Sequence, residues 1–191
     1  TKIFSRRGQP DFTAVNHISF ELMPGECLGI IGESGSGKTT VVNMIIRLLD
    51  VTGGRIVLDG EDITHSRGRQ LRMAYQKMQM VFQTPADSFD PRRTLGDGIG
   101  ESLRNAGMSA KDARREVERL LEKCGLPAEF ANRYPHQVSG GQCQRAAIAR
   151  AIAIKPRLLI CDEATSALDV TIQAEILELL NPLRGQQGAG L

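Results

Sequence analysis

The 191-residue chain is 41% hydrophobic and 24% charged, which gives enough apolar material for the core of one domain of ordinary size and enough charge for solubility. Its 24 Lys and Arg against 22 Asp and Glu leave a net charge of +2, which excludes the strongly basic footprint of a nucleic-acid-binding domain. No apolar run approaches the 18 or so residues of a membrane span, and the start, Thr1-Lys2-Ile3-Phe4-Ser5-Arg6-Arg7, lacks a signal-peptide core, so membrane association is expected only through a partner.

In chain order, a β region is expected over Ala14 to Leu22, broken by Pro24-Gly25. Glu26-Cys27-Leu28-Gly29-Ile30-Ile31 then reads as an apolar strand leading into Gly32-Glu33-Ser34-Gly35-Ser36-Gly37-Lys38-Thr39, a fit to G-x-x-x-x-G-K-[ST]. Helix formers follow at Val41, Val42, Met44, Ile45, Ile46, Leu48 and Leu49. The motif arises by accident in roughly one chain in 100 or fewer at this length, and the flanking strand and helix lower those odds further. Glycines let the backbone turn tightly, so that successive N–H groups share one concavity with the following helix N-terminus, through Thr40, and hold phosphates there. Lys38 then reaches the β- and γ-phosphates of a nucleotide, and the Thr39 hydroxyl ligates Mg²⁺.

Gly54 to Gly60 reads as a strand with its turn, a short helix is expected around Arg69 to Tyr75, and a strand over Met80-Val81-Phe82-Gln83. From Thr84 to about Arg150 the pattern turns helical: Thr94 to Asn105, then Ser109 to Cys124. In the second of these, Ser109 and Asp112 form an S-x-x-D start, while Ala113, Val117, Leu120, Leu121 and Cys124 make a core stripe. Gly125 ends that helix, with Pro127 behind it. Ser139-Gly140-Gly141-Gln142 opens another helix. By itself the segment is an ordinary Ser N-cap; with a phosphate cradle upstream it is a second anion site, in which Ser139 and the free N–H groups of Gly140 and Gly141 face a γ-phosphate.

Arg157-Leu158-Leu159-Ile160-Cys161-Asp162-Glu163 is an apolar run ending in two carboxylates, read as a buried strand whose C-terminal end reaches the nucleotide. Asp162 is the expected Mg²⁺ partner through water, and Glu163 accepts a proton from, or orients, the attacking water. Cys27, Cys124, Cys143 and Cys161 show no C-x-x-C spacing. Cys27 and Cys161 fall in expected buried strands, and all four read as reduced packing residues.

Val138-Ser139-Gly140-Gly141-Gln142-Cys143-Gln144-Arg145 resembles the L-S-G-G-Q-x-Q-R signature of the ATP-binding cassette (ABC) family, with Val for Leu. The resemblance implies an α/β fold: a P-loop NTPase core of mixed sheet flanked by helices, with an N-terminal antiparallel β region and an inserted α-helical subdomain. It puts the core at 1–83 and 151–191 and the helical subdomain at 84–150. It further implies that Gln83 is the Q-loop glutamine reaching Mg²⁺ and the attacking water. Ser166-Ala167-Leu168-Asp169 is the D-loop crossing a dimer interface, and Phe4 is the aromatic that stacks on adenine. Phe12 lies in the same region.

Gln83-Thr84-Pro85-Ala86-Asp87-Ser88-Phe89-Asp90-Pro91-Arg92, like Leu168-Asp169-Val170-Thr171-Ile172-Gln173-Ala174, is similar to ATPases serving peptide and nickel importers. Phe89 and Asp90 replace their usual Leu and Asn, and Thr84 their usual Asp. That similarity implies a head-to-tail dimer with an identical or paralogous ATPase subunit, ATP sandwiched between the cradle of one subunit and Ser139–Gln142 of the other. It also implies two permease subunits contacted near 84–93, an extracytoplasmic solute-binding protein, and a place at the cytoplasmic face of the bacterial inner membrane. The family's switch histidine belongs on a strand after a helix here running from Val170 to Leu183. His17, His65 and His136 do not lie there, so a chain truncated before its last strands is expected, with turnover by these 191 residues left open. A soluble ABC ATPase acting on ribosomes or DNA would bring a second cassette or long coiled coils; a GTPase would bring N-K-x-D. The sequence has none of these. The cargo is not readable.

Overall fold

The computed structural model describes residues 1–82 and 84–161. Strand β1 (Lys2–Phe4) pairs antiparallel with β2 (Phe12–Val15), matching Phe4 to Phe12 and Lys2 to Val15 around an irregularity between Lys2 and Ile3. Helix α1 (Lys38–Ile45) packs on β2 through buried Val15, Val41 and Met44. Strands β3 (Val57–Leu58) and β4 (Glu61–Asp62) form a hairpin around Asp59-Gly60, both at positive φ, 52° and 79°. That is the Asp-Gly turn whose twist suits a tight hairpin.

Helix α2 (Gly68–Lys77) runs directly into β5 (Met78–Val81), which pairs in parallel with β6 (Leu158–Cys161). Between these two strands in sequence lie α3 (Leu95–Asn105), α4 (Ala110–Lys123) and α5 (Gly140–Ile152). Short 3-10 turns lie at Pro85–Ser88, Ala128–Asn132 and Pro135–Gln137.

The helices begin and end on local chemistry. Thr94 and Ser109 cap α3 and α4 by accepting from the backbone N–H of Asp97 and Asp112 at 3.2 and 3.1 Å. The Ser109 hydroxyl also donates to the Asp112 carboxylate at 2.6 Å, so the carboxylate takes the side chain rather than the cap N–H. Gly125, at φ 70°, ends α4 in the six-residue reverse turn in which Leu126 N–H bonds Leu121 C=O at 2.9 Å. Gly107, at φ 94°, ends α3 the same way. The apolar stripes then converge: Leu95, Ile99 and Leu103 of α3, Val117 and Leu121 of α4, and Ile148 of α5 share one buried cluster with Val81 of β5 and Leu159 of β6.

Four expectations are corrected. No strand spans Glu26–Ile31 or residues 16–22 among the described residues; Leu28, Ile30 and Ile31 are exposed, Ile31 at 97%. An apolar run becomes a strand only with a lateral partner, and none pairs with this one there. Helix α1 stops at Ile45 instead of continuing to Leu49, because Arg47 takes φ 59° and sends its Nε to Ile63 O at 2.9 Å. The strand expected over Gly54 to Gly60 shrinks to Val57–Leu58. Cys27 is exposed and lies in no strand, whereas Cys161 ends β6 and Cys124 and Cys143 are buried packing residues; burial pushes the Cys124 and Cys161 thiols up to about 12.

Candidate functional site

The glycine-rich loop is a preformed concavity. A β-carbon on Gly32 would lie 2.6 Å from Ser36 Oγ, so the two ends of the loop curl toward each other and leave room only for backbone. Ser36 N–H bonds Glu33 O at 3.2 Å, closing a turn that includes Ser34 and Gly35, the latter at φ 81°. Gly37, at φ 93°, caps α1, whose first residues are Lys38, Thr39 and Thr40. No acidic residue occupies its first turn, so the positive end of the helix faces the loop uncompensated. The Lys38 ammonium folds back over the loop, donating to Gly32 O and Glu33 O at 2.7 Å each. Thr39 is exposed beside it. These carbonyls are the stand-ins that phosphate oxygens would displace, and the curl, the helix end and the lysine fit a polyphosphate.

Val15, in β2, packs on α1 and brings the β1/β2 ribbon beside the loop. Its exposed aromatics are Phe4 at 38% and Phe12 at 64%, directly paired across the strands and so on one face of the ribbon. Lys2 Nζ lies 5.1 Å from the Phe4 ring centroid while donating to Asp50 O at 2.7 Å.

The second glycine segment forms the start of α5. Ser139 Oγ accepts from Gln142 N–H at 3.3 Å, and Gln142 Oε1 accepts from Ser139 N–H at 2.9 Å, a reciprocal capping box. The box leaves the Gly140 and Gly141 N–H groups without acceptors among the described residues, pointing out from an exposed helix end. No hydrogen bond joins Ser139–Gln142 to the loop at 32–39 among those residues.

Strands β5 and β6 are in register, with Val81 opposite Cys161, so their C-terminal ends are level. Gln83, Asp162, Glu163 and Asp169 lie outside the described residues. Among the described residues, no cluster of His, Cys, Asp or Glu is placed to hold a metal, so the Mg²⁺ reading has only Thr39 there.

One residue at the far end of α5 from Ser139–Gln142 escaped the sequence reading. Arg150, in the last turn of α5, reaches back to Ser88 in the turn after β5. The available signal was an arginine set in the otherwise small and apolar run Ala146–Ile152.

Comparison with known proteins agrees with this geometry. Residues 15–166 match the ABC transporter family. The chain is 46% identical over 183 residues to the probable peptide ABC transporter ATP-binding protein y4tS of Sinorhizobium fredii, covering 95% of this chain and 52% of that protein. It is 43% identical over 180 residues to the oligopeptide transport ATP-binding protein OppF of Salmonella typhimurium, covering 93% and 54%. The chain thus spans about half the length of these curated relatives. It is also similar to the ATP-binding cassette MJ0796, solved as a dimer in a post-hydrolysis state bound to ADP and Pi, with TM-score 0.89 and 31% identity over 99% of this chain and 82% of that one. With a P-loop cradle, a separately capped glycine signature and this extent of match, the chain belongs to the ABC transporter family and has the α/β fold of its ATP-binding cassette.

Proposed function

We propose that this chain is the ATP-binding and ATP-hydrolysing part of an ABC importer, coupling ATP-driven head-to-tail dimerisation to solute uptake. The observation that carries the reading is the pair of unsatisfied anion sites in one chain, the curled loop at 32–37 and the free Gly140 and Gly141 N–H groups, with no hydrogen bond between them among the described residues. A nucleotide shared between two chains requires two such half-sites, one contributed by each chain.

In this reading the backbone of Gly32 to Gly37, with Thr40 in the first turn of α1, cradles the phosphates. Lys38 exchanges its two carbonyl partners for the β- and γ-phosphate oxygens, so its charge is never left unpaired. Phe4 offers its ring to the adenine. Ser139, Gly140, Gly141 and Gln142 of one chain close on the γ-phosphate held by the other, and Asp169 crosses the interface. Thr39, Asp162 and Gln83 would hold Mg²⁺, which would supply neutralisation of the charge on the phosphates. Glu163 takes up a proton from the attacking water. The protein's contribution is positioning and charge stabilisation rather than covalent chemistry.

The core comprises 1–83 and 151–191, and the helical subdomain 84–150. Residues 84–93 face a permease pair, and an extracytoplasmic solute-binding protein completes the assembly. No helix among the described residues is long and apolar enough to cross a membrane. In this reading the chain sits at the cytoplasmic face of the bacterial inner membrane, attached through the permease. The peptide-transport relatives support a di- or oligopeptide cargo over nickel. Helix α4, at 14 residues, gives no support to the coiled-coil alternative of a soluble ATPase acting on ribosomes or DNA.

Light scattering of the Glu163→Gln protein with and without ATP, across protein concentrations, tests the proposal. ATP-dependent dimers that vanish when Ser139 is made bulky are expected. ATP binding without any dimer, in a complete chain with its paralogue present, would overturn the two-site reading.

A further inference from the structure

Arg150 is a part-buried cation held entirely by neutral groups. Its Nη2 donates to Ser88 Oγ at 2.9 Å, its Nη1 donates to Ser88 O, and its guanidinium lies 4.5 Å from the centroid of the Phe89 ring. Ser88 Oγ in turn donates to Pro85 O at 2.6 Å, so the guanidinium grips a turn that is already closed. No salt bridge to Arg150 forms among the described residues, and Glu101 of α3 is tied to Arg93 at 2.8 Å. Burial holds the Arg150 pKa below its usual range. An apolar side chain of similar length would pack here without that desolvation cost, so a preference for stability alone does not account for an arginine. What only arginine supplies is a planar fork that fixes orientation at several donors together with a face that stacks on an aromatic ring.

The Phe89 ring also meets α3 along one edge. A β-carbon on Gly98 would lie 2.8 Å from Phe89 Cδ1, so α3 presents a glycine where the ring seats. A leucine at position 89 could not stack on the guanidinium, so Phe89→Leu removes the stacking and leaves the hydrogen bonds to Ser88.

We infer that Arg150 is a positioning residue that locks the Pro85–Phe89 turn to α5, so that displacement of the turn is delivered to Ser139–Gln142 at the opposite end of the helix instead of being absorbed within the turn. Helix α5 is 13 residues long, and the lock sits in its last turn while the γ-phosphate donors sit in its first. The inference rests on the reading of 84–93 as the permease-facing segment.

The test uses the complete ATPase subunit reconstituted with its permease partners in vesicles. Arg150→Met, Arg150→Lys and Phe89→Leu are compared by KM for ATP, by the rate of the ATPase subunit alone and by the rate stimulated by permease and cargo. A separate Asp87→Cys variant reports contact with the permease by cross-linking. For Arg150→Met, KM and the unstimulated rate are expected within about twofold of wild type while the stimulated increment falls about fivefold or more. Phe89→Leu should lose less, and Arg150→Lys should recover part of the loss. Should Arg150→Met fail to fold, the other two variants carry the same comparison. Stimulated and unstimulated rates falling by one common factor, or stimulation unchanged while the Asp87→Cys cross-link forms, would overturn the lock. Absence of that cross-link would instead overturn the permease contact, and the lock with it.

Discussion

The Cα of Gly37 faces the carbonyl of Ala14 so closely that a β-carbon at position 37 would sit 2.6 Å from that oxygen. Gly37 also holds φ 93°, so substitution meets two separate penalties: left-handed strain and collision with backbone that is fixed in the β1/β2 pairing. Gly35 shares only the first, at φ 81° with nothing within 4 Å of the added atom. Gly37→Ala is expected to cost about 2 kcal/mol or more and Gly35→Ala about 1 kcal/mol. Urea melts of both variants check this, with ATP titration following the larger loss into binding. Equal costs at the two positions would remove the Ala14 contact from the account.

Lys38 spends its donors on the carbonyls of Gly32 and Glu33, at 2.7 Å each, in a partly exposed setting. Its removal therefore costs the folded chain little, because water can serve those carbonyls, yet it deletes the cation meant for the β- and γ-phosphates. Lys38→Ala should weaken ATP binding about tenfold or more while changing stability by less than about 1 kcal/mol. Calorimetric titration separates the two effects, and unchanged affinity would count against the cradle.

What was legible from sequence was the local chemistry. Ser139, Ser109 and Thr94 cap helices, Gly125 ends one, and Asp59-Gly60 turns a hairpin, because each acts on backbone within a few positions of itself. The errors have a common physical source in partners distant along the chain. Glu26–Ile31 has a strand's composition, but pairing depends on a neighbouring strand that no local pattern reveals. Arg47 ends α1 early because the carbonyl it needs belongs to Ile63, and Arg150 finds Ser88 from 62 positions away. Of the site, the cradle and the capped signature could be read in this way. The opposition of Phe4 and Phe12 could not, since it depends on the register across a seven-residue loop.

Gly98 and Phe89 make a local test of packing in the helical subdomain. With the edge of the ring seated against Gly98 and its face on the Arg150 guanidinium, Gly98→Ala must displace the ring and should cost about 1–3 kcal/mol. Phe89→Leu removes the atom that would collide, so in the double variant the glycine substitution should cost at least about 1 kcal/mol less than it does alone. Additive costs in thermal or urea unfolding would mean that the ring does not seat against α3 as described.

Asp50 supplies the acid-sensitive anchor for the end of α1. Arg47, with its side chain only 2% exposed, donates to Asp50 Oδ1 at 2.7 Å; that hydrogen bond and the guanidinium charge, with smaller help from Arg67 and Lys2, hold the Asp50 carboxyl below its usual range. A carboxyl whose pKa is lower in the folded chain than in the unfolded one stabilises the fold above the unfolded value, about 4, and that contribution is lost as pH falls through the folded value. Asp50→Asn should consequently lower the melting temperature near neutral pH. The gap from wild type should close as pH drops below about 4, where the wild-type carboxyl takes up its proton and the pair becomes equivalent to the amide. Arg47 keeps its bond to Ile63 O in both proteins, so the remaining stability should follow one common acid curve. Melting curves recorded from pH 7 downward check this, and a gap that stays constant with pH would show that the pair contributes through geometry and not through charge.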